Sequence, residues 1–244
     1  MSEIDWFEEW FDSKYYHILY KNRDDAEAKK FIYGLMKQLQ LKPGMKLLDL
    51  ACGKGRHSKN LQELGYNVLG VDLSKKSIAD AQRWTNNSLS FQVHDMRAVI
   101  QGHSFDAIFN LFTSFGYFDS PKDNERMCLS IAKMLEPGGI FVIDFMNAHK
   151  VIESLVLKEQ KVIEGVSFDI SRRYDGMHIY KEIRIEDKSH HIQYTERVQA
   201  LELTDFHILL EPYFEINHVF GSLDFKPFEV DESDRLIIIA KRKK

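Results

Sequence analysis

Four short runs, Lys46–Ala51 (KLLDLA), Asn67–Val71 (NVLGV), Ala107–Phe112 (AIFNLF) and Ile140–Phe145 (IFVIDF), are apolar at nearly every position. A strand wetted on one face alternates apolar with polar residues, so runs apolar on both sides belong in a parallel sheet covered by helices. Helical patterns separate the runs. Ser58–Leu64 stops at Gly65, Ser74 can cap a helix to about Thr85, and Asn124–Leu135 stops before Pro137-Gly138-Gly139. Strand and helix in alternation, joined by right-handed crossovers, make a doubly wound α/β sheet. Hydrophobic residues form 44% of the 244 positions, which is ordinary for a folded domain and excludes a disordered chain.

Both flanks of this pattern differ from it. Residues 1–40 read as helical, with Asp24 and Glu27 as a capping box and Ala28, Phe31, Leu35 and Leu39 at helical spacing. Ahead of them lies a segment dense in aromatics: Trp6, Phe7, Trp10, Phe11, Tyr15, Tyr16 and Tyr20. After about residue 150, three stretches alternate instead: Val162–Ile170, Met177–Ile185 and Ile192–Ala200, with turns at Asp175-Gly176 and Asp187-Lys188-Ser189. They predict a half-buried antiparallel β meander inserted into the α/β unit. The α/β pattern resumes with a helix near Leu203–Glu211 and strands near Phe214–Phe220 and Arg235–Lys241. The expected division is therefore 1–150, 151–202 and 203–244.

The segment Asp49-Leu-Ala-Cys-Gly53-Lys-Gly55-Arg-His57 follows the first apolar run and precedes a helix. Gly53 and Gly55 permit a sharp turn and let a ligand approach the backbone. The second run ends at Asp72, whose carboxylate suits a pair of ribose hydroxyls; Ser74 fills the neighbouring helix-cap role better. A nicotinamide dehydrogenase would share the glycines and the acid, but it needs a third glycine to pass the helix over a pyrophosphate. Gly53-Lys-Gly55-Arg-His-Ser58 lacks that glycine.

LLDLACGKGRHS, GVDLS, the His94-Asp95-Met96 step, FDAIFNLFTSFGYF and LEPGGIFVIDF, in this order, resemble the successive motifs of class I S-adenosylmethionine-dependent methyltransferases. The NLFTSFGYF run and the meander after the fifth strand resemble a small bacterial and archaeal subgroup. The resemblance implies a Rossmann-like sheet of seven strands and S-adenosylmethionine as cofactor, with S-adenosylhomocysteine as product. It implies that the Ala51–Gly55 loop, with Gly53 in it, faces the methionine and ribose, while Asp49 holds the loop or reaches the amino group. Asp72 would bind the ribose, Leu73 would pack on the adenine, Asp95 would accept from the adenine amine, and Met96 would lie against the ring. Asn110, Leu111 and Phe112 would floor the site beside the sulfonium. His57 stands at the third glycine-type position, and Tyr20 belongs to the segment that this fold lays over the cofactor mouth.

The rest of the chain narrows the acceptor. With 33 Lys+Arg against 37 Asp+Glu, the formal charge is −4, and residues 151–199 carry nine acidic and eight basic residues, so no electrostatic track for nucleic acid is expected. The expectation is a small-molecule acceptor methylated by in-line displacement. The alternatives are an RNA or protein methyltransferase and a non-catalytic binder of S-adenosylmethionine or S-adenosylhomocysteine. Asp144, Asn147, His149 and Tyr117 lie near the strand ends, but none is singled out as a catalytic base. Cys52 and Cys128 have no partner spacing, and the adjacent His190 and His191 would point apart on a strand, so no metal site is expected. The opening MSEIDWFEEWFDS is too acidic for a secretory signal, and no apolar run approaches the roughly 20 residues of a membrane span, which together predict a cytoplasmic protein. A homodimer contact is the other use that the meander could have.

Overall fold

The computed structural model describes residues 6–21, 25–118, 120–188 and 190–244. Asp24 of the expected capping box, the side chains of Trp6 and Phe7, and the turn residue Ser189 lie outside them. Three helices open the described chain: α1 (Trp6–Phe11), α2 (Lys14–Leu19) and α3 (Asp25–Leu39). The alternating part then runs β1 (Lys46–Leu50), α4 (Arg56–Glu63), β2 (Asn67–Asp72), α5 (Lys75–Ala81), β3 (Leu89–Val93), β4 (Phe105–Asn110), α6 (Pro121–Met134), β5 (Leu135–Met146) and α7 (Ala148–Glu153). The meander is β6 (Lys158–Ile163), β7 (Val166–Tyr174), β8 (His178–Asp187) and β9 (His190–Gln199). The chain returns through α8 (Leu203–Leu210), β10 (Phe214–Phe220) and β11 (Arg235–Arg242).

Seven strands form one sheet in the order β10-β11-β5-β4-β1-β2-β3. β1 to β5 are mutually parallel, and β11 runs antiparallel to both β5 and β10. Bilateral burial follows from the apolar runs: Leu47, Leu48 and Leu50 of β1, and Ala107, Ile108 and Phe109 of β4, are sealed. One apolar cluster lies on each side of the sheet's centre, one joining Leu48 and Ile108 to α6 and α8, the other joining Leu47 and Phe109 to α3 and α4. Burial on this scale is worth about 25 cal/mol per Å² of apolar surface, so these strands anchor the molecule.

Several boundaries differ from the sequence reading, each for a local reason. The strand Leu89–Val93 was not anticipated; it lies at the sheet edge and buries only Leu89 and Phe91, so its pattern is that of a half-wet strand. The fourth strand ends at Asn110 rather than Phe112, because Phe112 and Thr113 both take left-handed backbone (φ +59° and +58°), which cannot continue a strand. The helix after Gly55 starts at Arg56, and α6 starts with Pro121 at its first turn, where a proline is tolerated. The short helix α7 was also not anticipated. The meander has four strands, not three: Val162–Ile170 is split by a turn at Glu164-Gly165 (φ +54° and +78°). Its first strand, β6, is an edge strand with little buried surface and so gives no alternating signal.

The meander has a core of its own. Val166, Phe168, Ile170, Ile183 and Ile185 present one face, and Trp10 and Tyr15 from the N-terminal helices close it. Trp10 donates to Glu196 at 2.6 Å, and Tyr15 and Lys14 both reach Asp187. The N-terminal segment thus belongs structurally with residues about 170 positions later. Among the described residues, no helix is long and apolar enough to cross a membrane.

Candidate functional site

Three left-handed residues in five, Ala51 (φ +59°), Gly53 (+55°) and Gly55 (+78°), fold the chain back on itself between β1 and α4. Backbone bonds lock the turn: Cys52 donates to the Val71 carbonyl at 2.9 Å and Gly55 to the Cys52 carbonyl at 3.0 Å. The two glycines serve different ends. A Cβ on Gly55 would lie 2.6 Å from the Phe91 ring, so that glycine exists for packing, whereas a Cβ on Gly53 would meet nothing within 4 Å. Gly53 faces open space at the carboxyl end of the sheet, where open α/β sheets hold ligands.

Asp72 ties β2 to this turn. One carboxylate oxygen accepts from the Gly53 N–H and the other from the Ser74 N–H, both at 2.8 Å. Ser74 caps α5, its Oγ accepting from the Ser77 N–H, and it also donates to Asp12 of the N-terminal segment. Burial raises the Asp72 carboxyl above its ordinary range against the lowering effect of those N–H groups. Asp49 is sealed and accepts from Ser58 Oγ at 2.6 Å. Its carboxyl is pushed up to about 7, first by burial and then by the neighbouring Asp72, with Ser58 and Arg56 opposing. Burial likewise drives the Cys52 thiol well up, so a resting thiolate is not its contribution.

The floor comes from β4. Asn110 is fully buried; its amide donates to the Leu50 carbonyl at 3.4 Å, and its Oδ1 has no hydrogen-bond partner among the described residues. Met96 Sδ lies 4.0 Å from the Asn110 amide nitrogen. Leu111 is buried in the core, and the Phe112 ring stacks on His57 with centroids 5.1 Å apart. Leu73 is half-buried at the end of β2. Asp95 is gripped by Arg97 through Nε and Nη2 at 3.0 and 2.7 Å and by the Arg97 N–H at 2.8 Å. Burial alone would raise the Asp95 carboxyl, but Arg97 outweighs it and holds the group below its ordinary range.

Tyr20 occupies a different setting from the other candidates: it donates to Glu196 at 2.8 Å and accepts from Lys181, both on the meander. Asp144, Asn147, His149 and Tyr117 each have structural contacts. Asp144 pairs with Arg235, Asn147 donates to the Val230 and Ser233 carbonyls, His149 lies 3.1 Å from Asp231, and Tyr117 packs on Phe11. The sequence reading did not single out Arg235 or Asp12. The signal for Arg235 was one charged residue opening an otherwise apolar run (RLIIIA); nothing local marked Asp12.

The turn and β4 thus bring together two buried carboxylates, each with its pKa raised, and an orphaned amide oxygen. Such a corner offers acceptors and negative charge, so it suits a cation carrying N–H and O–H donors rather than a phosphate. S-adenosylmethionine, with its sulfonium, ammonium and ribose hydroxyls, fits these residues.

Comparison with known proteins agrees. Residues 47–139 match the family described as "Methyltransferase domain". The chain is 31% identical over 146 residues to glycine N-methyltransferase of Mus musculus, covering 53% of this chain and 48% of that protein. It is 32% identical over 98 residues to dTDP-3-amino-3,4,6-trideoxy-alpha-D-glucopyranose N,N-dimethyltransferase of Streptomyces venezuelae, covering 40% and 41%. The chain therefore spans less than half the length of these relatives. The fold of an S-adenosylmethionine-dependent methyltransferase from Clostridium acetobutylicum ATCC 824 superposes with a TM-score of 0.78 over 94% of this chain and 96% of that one, at 20% identity. Residues 47–139 thus match a methyltransferase domain, and the five ordered motifs and this architecture are similar to those of the class I S-adenosylmethionine-dependent methyltransferases.

Proposed function

We propose that the chain transfers a methyl group from S-adenosylmethionine to a small-molecule acceptor by in-line displacement. The observation that carries this reading is the acceptor-rich corner of Asp49, Asp72 and Asn110 Oδ1 beside an open Gly53. When bound, the cofactor supplies a methyl group already activated on a positive sulfur. The protein's work is then alignment and water exclusion. Asp72, with one lone pair per oxygen left by Gly53 and Ser74, takes the ribose hydroxyls. Asn110 Oδ1 and Asp49 face the cationic part, Leu73 and Met96 sandwich the adenine, and Asp95 accepts from its amine. The Ala51–Gly55 loop, Leu111, Phe112 and His57 complete the wall. The N-terminal segment carrying Tyr20, with the meander, covers the mouth. We take residues 1–150 and 203–244 as the methyltransferase unit and 151–202 as the insert.

Two relatives favour a small amine as acceptor, since their names specify glycine and an amino sugar. The near balance of charge on the insert argues in the same direction, because it offers no track for a phosphate backbone. Calorimetry with S-adenosylmethionine and S-adenosylhomocysteine, followed by labelled-donor assays on metabolite pools, RNA and protein, tests the reading. The expected result is binding of both nucleosides and label in the small-molecule fraction. Failure to bind either, or label confined to RNA or protein, would reject it.

A further inference from the structure

We propose that Asp144 is a positioning residue for the cofactor site: its carboxylate, anchored by Arg235, holds the turn after β4 in the shape that receives S-adenosylmethionine. This rests on the methyltransferase reading above. The order of the strands places that turn. The chain leaves β1 toward β2 on one side and later returns to β4 on the other, so the order reverses between β1 and β4. Ligands of open α/β sheets lie in the crevice outside the carboxyl ends at such a reversal. Leu50 registers with Asn110 across it, so the Ala51–Gly55 loop and the turn after Asn110 start side by side. The Phe112 ring then reaches His57 on the β1 side, with centroids 5.1 Å apart and planes at 26°.

The turn is not one that its own residues favour. Phe112 and Thr113 both take left-handed backbone, at φ +59° and +58°, and among the described residues no other two consecutive non-glycines do so. That region is costly for any side chain and most for a β-branched one such as Thr113. Such backbone persists only where the surroundings over-determine it, and it clusters at ligand sites. Here a single residue supplies both restraints. The Phe112 N–H donates to Asp144 Oδ2 at 3.0 Å, and the Thr113 N–H donates to the Asp144 carbonyl at 2.8 Å.

Asp144 is sealed, and Arg235 holds its other oxygen, with Nε and Nη2 at 2.8 and 2.6 Å from Oδ1. The two carboxylate oxygens therefore have separate tasks, Oδ1 for the anchor and Oδ2 for the turn. A buried ion pair is weak evidence for stability, because an apolar pair of similar volume often serves as well. Apolar side chains cannot replace the acceptor for the Phe112 N–H. Apparent affinity scales with the fraction of molecules whose turn has the binding shape, so loss of that acceptor should appear in cofactor binding.

Two double variants separate the acceptor from the charge. Asp144→Asn with Arg235→Gln removes both charges but leaves an amide oxygen for the Phe112 N–H. Asp144→Leu with Arg235→Leu removes the charges and the acceptor together. Calorimetry with S-adenosylmethionine and S-adenosylhomocysteine is the readout. The amide pair should bind both within about threefold of wild type, and the leucine pair about tenfold more weakly, as for the loss of one hydrogen bond. Adding Thr113→Gly to the leucine pair should restore most of that affinity, because glycine enters the left-handed region freely. A mere packing defect at the end of β5 would not respond to that glycine. If the leucine pair does not fold, Thr113→Pro replaces it: proline fixes φ at about −65°, so the turn breaks without touching the ion pair, and a similar loss is expected. Wild-type affinity in the leucine pair or its replacement, equal loss in the amide and leucine pairs, or a loss that Thr113→Gly leaves in place would each overturn the inference. The methyltransferase reading would then still stand. A wild-type protein that binds neither nucleoside would reject that reading instead.

Discussion

The seven-stranded sheet and the four-stranded meander use β-structure in opposite ways. β1 and β4 are buried on both faces, so their apolar runs are continuous and helices from the same stretch of chain cover them. The meander buries one face only, and its cover comes from Trp10 and Tyr15, far back in the chain. The first device gathers its core from neighbouring segments. The second closes a loop of about 170 residues before its contacts form, which is entropically dear and favours later assembly. Function divides along the same line, with cofactor groups proposed on the sheet and acceptor enclosure on the meander.

The largest expected effect comes from Phe168→Ala in the meander core. Truncating a fully buried Phe costs about 3–5 kcal/mol. If the meander and N-terminal helices form a separate cooperative unit, hydrogen exchange should show lost protection in β7 and β8 while β1 and β4 keep theirs. Equal loss in both sheets would mean that one cooperative unit spans them.

Asp72→Ala should leave the meander untouched and weaken S-adenosylmethionine binding by about 1.5–3 kcal/mol, the range for hydrogen bonds to a charged group. Calorimetry giving the wild-type affinity would remove Asp72 from the site.

Asp49 makes the sheet, not the meander, pH-sensitive in the absence of ligand. Its carboxyl titrates at about 7 in the folded state, against 3.8 ordinarily. Between those values the folded protein keeps a proton that the unfolded chain has released, so this group's stabilisation is present at low pH and is lost as pH rises toward 7. Asp49→Asn cannot ionise. Its stability relative to wild type should improve from pH 4.5 to 7.5 by more than about 1.4 kcal/mol, the worth of one pKa unit. Urea midpoints that change in parallel for the two proteins would contradict this.

The smallest effect tests the seam. Glu196 accepts from Trp10 and Tyr20 and lies 3.6 Å from Lys181. Glu196→Gln keeps one acceptor oxygen, so a loss of about 0.5–1.5 kcal/mol is expected. Thermal unfolding would register it as a Tm fall of about 2–4 °C. An unchanged Tm would show that the apolar contacts alone hold the N-terminal segment to the meander.

Legibility followed the range of the forces involved. The doubly wound order, the Gly53 turn, the acid at Asp72 and the Ser74 cap were readable because each is set by the residue itself or by neighbours within a few positions. Backbone preference, periodicity and capping act over that distance. The edge strands β3 and β6 escaped because half-exposed strands carry little apolar signal. Phe112 was read as strand because nothing in its chemistry announces a left-handed backbone; the bond from its N–H to Asp144, 32 residues on, holds it there. The same applies to Trp10 with Glu196, 186 residues apart, and to Arg235 with Asp144, 91 apart. By itself the sequence determined the sheet, its turn and the chemical types gathered at the strand ends. Which distant side chains meet there was decided only by the folded chain, because a side chain's partners across the core depend on packing geometry that no local pattern encodes.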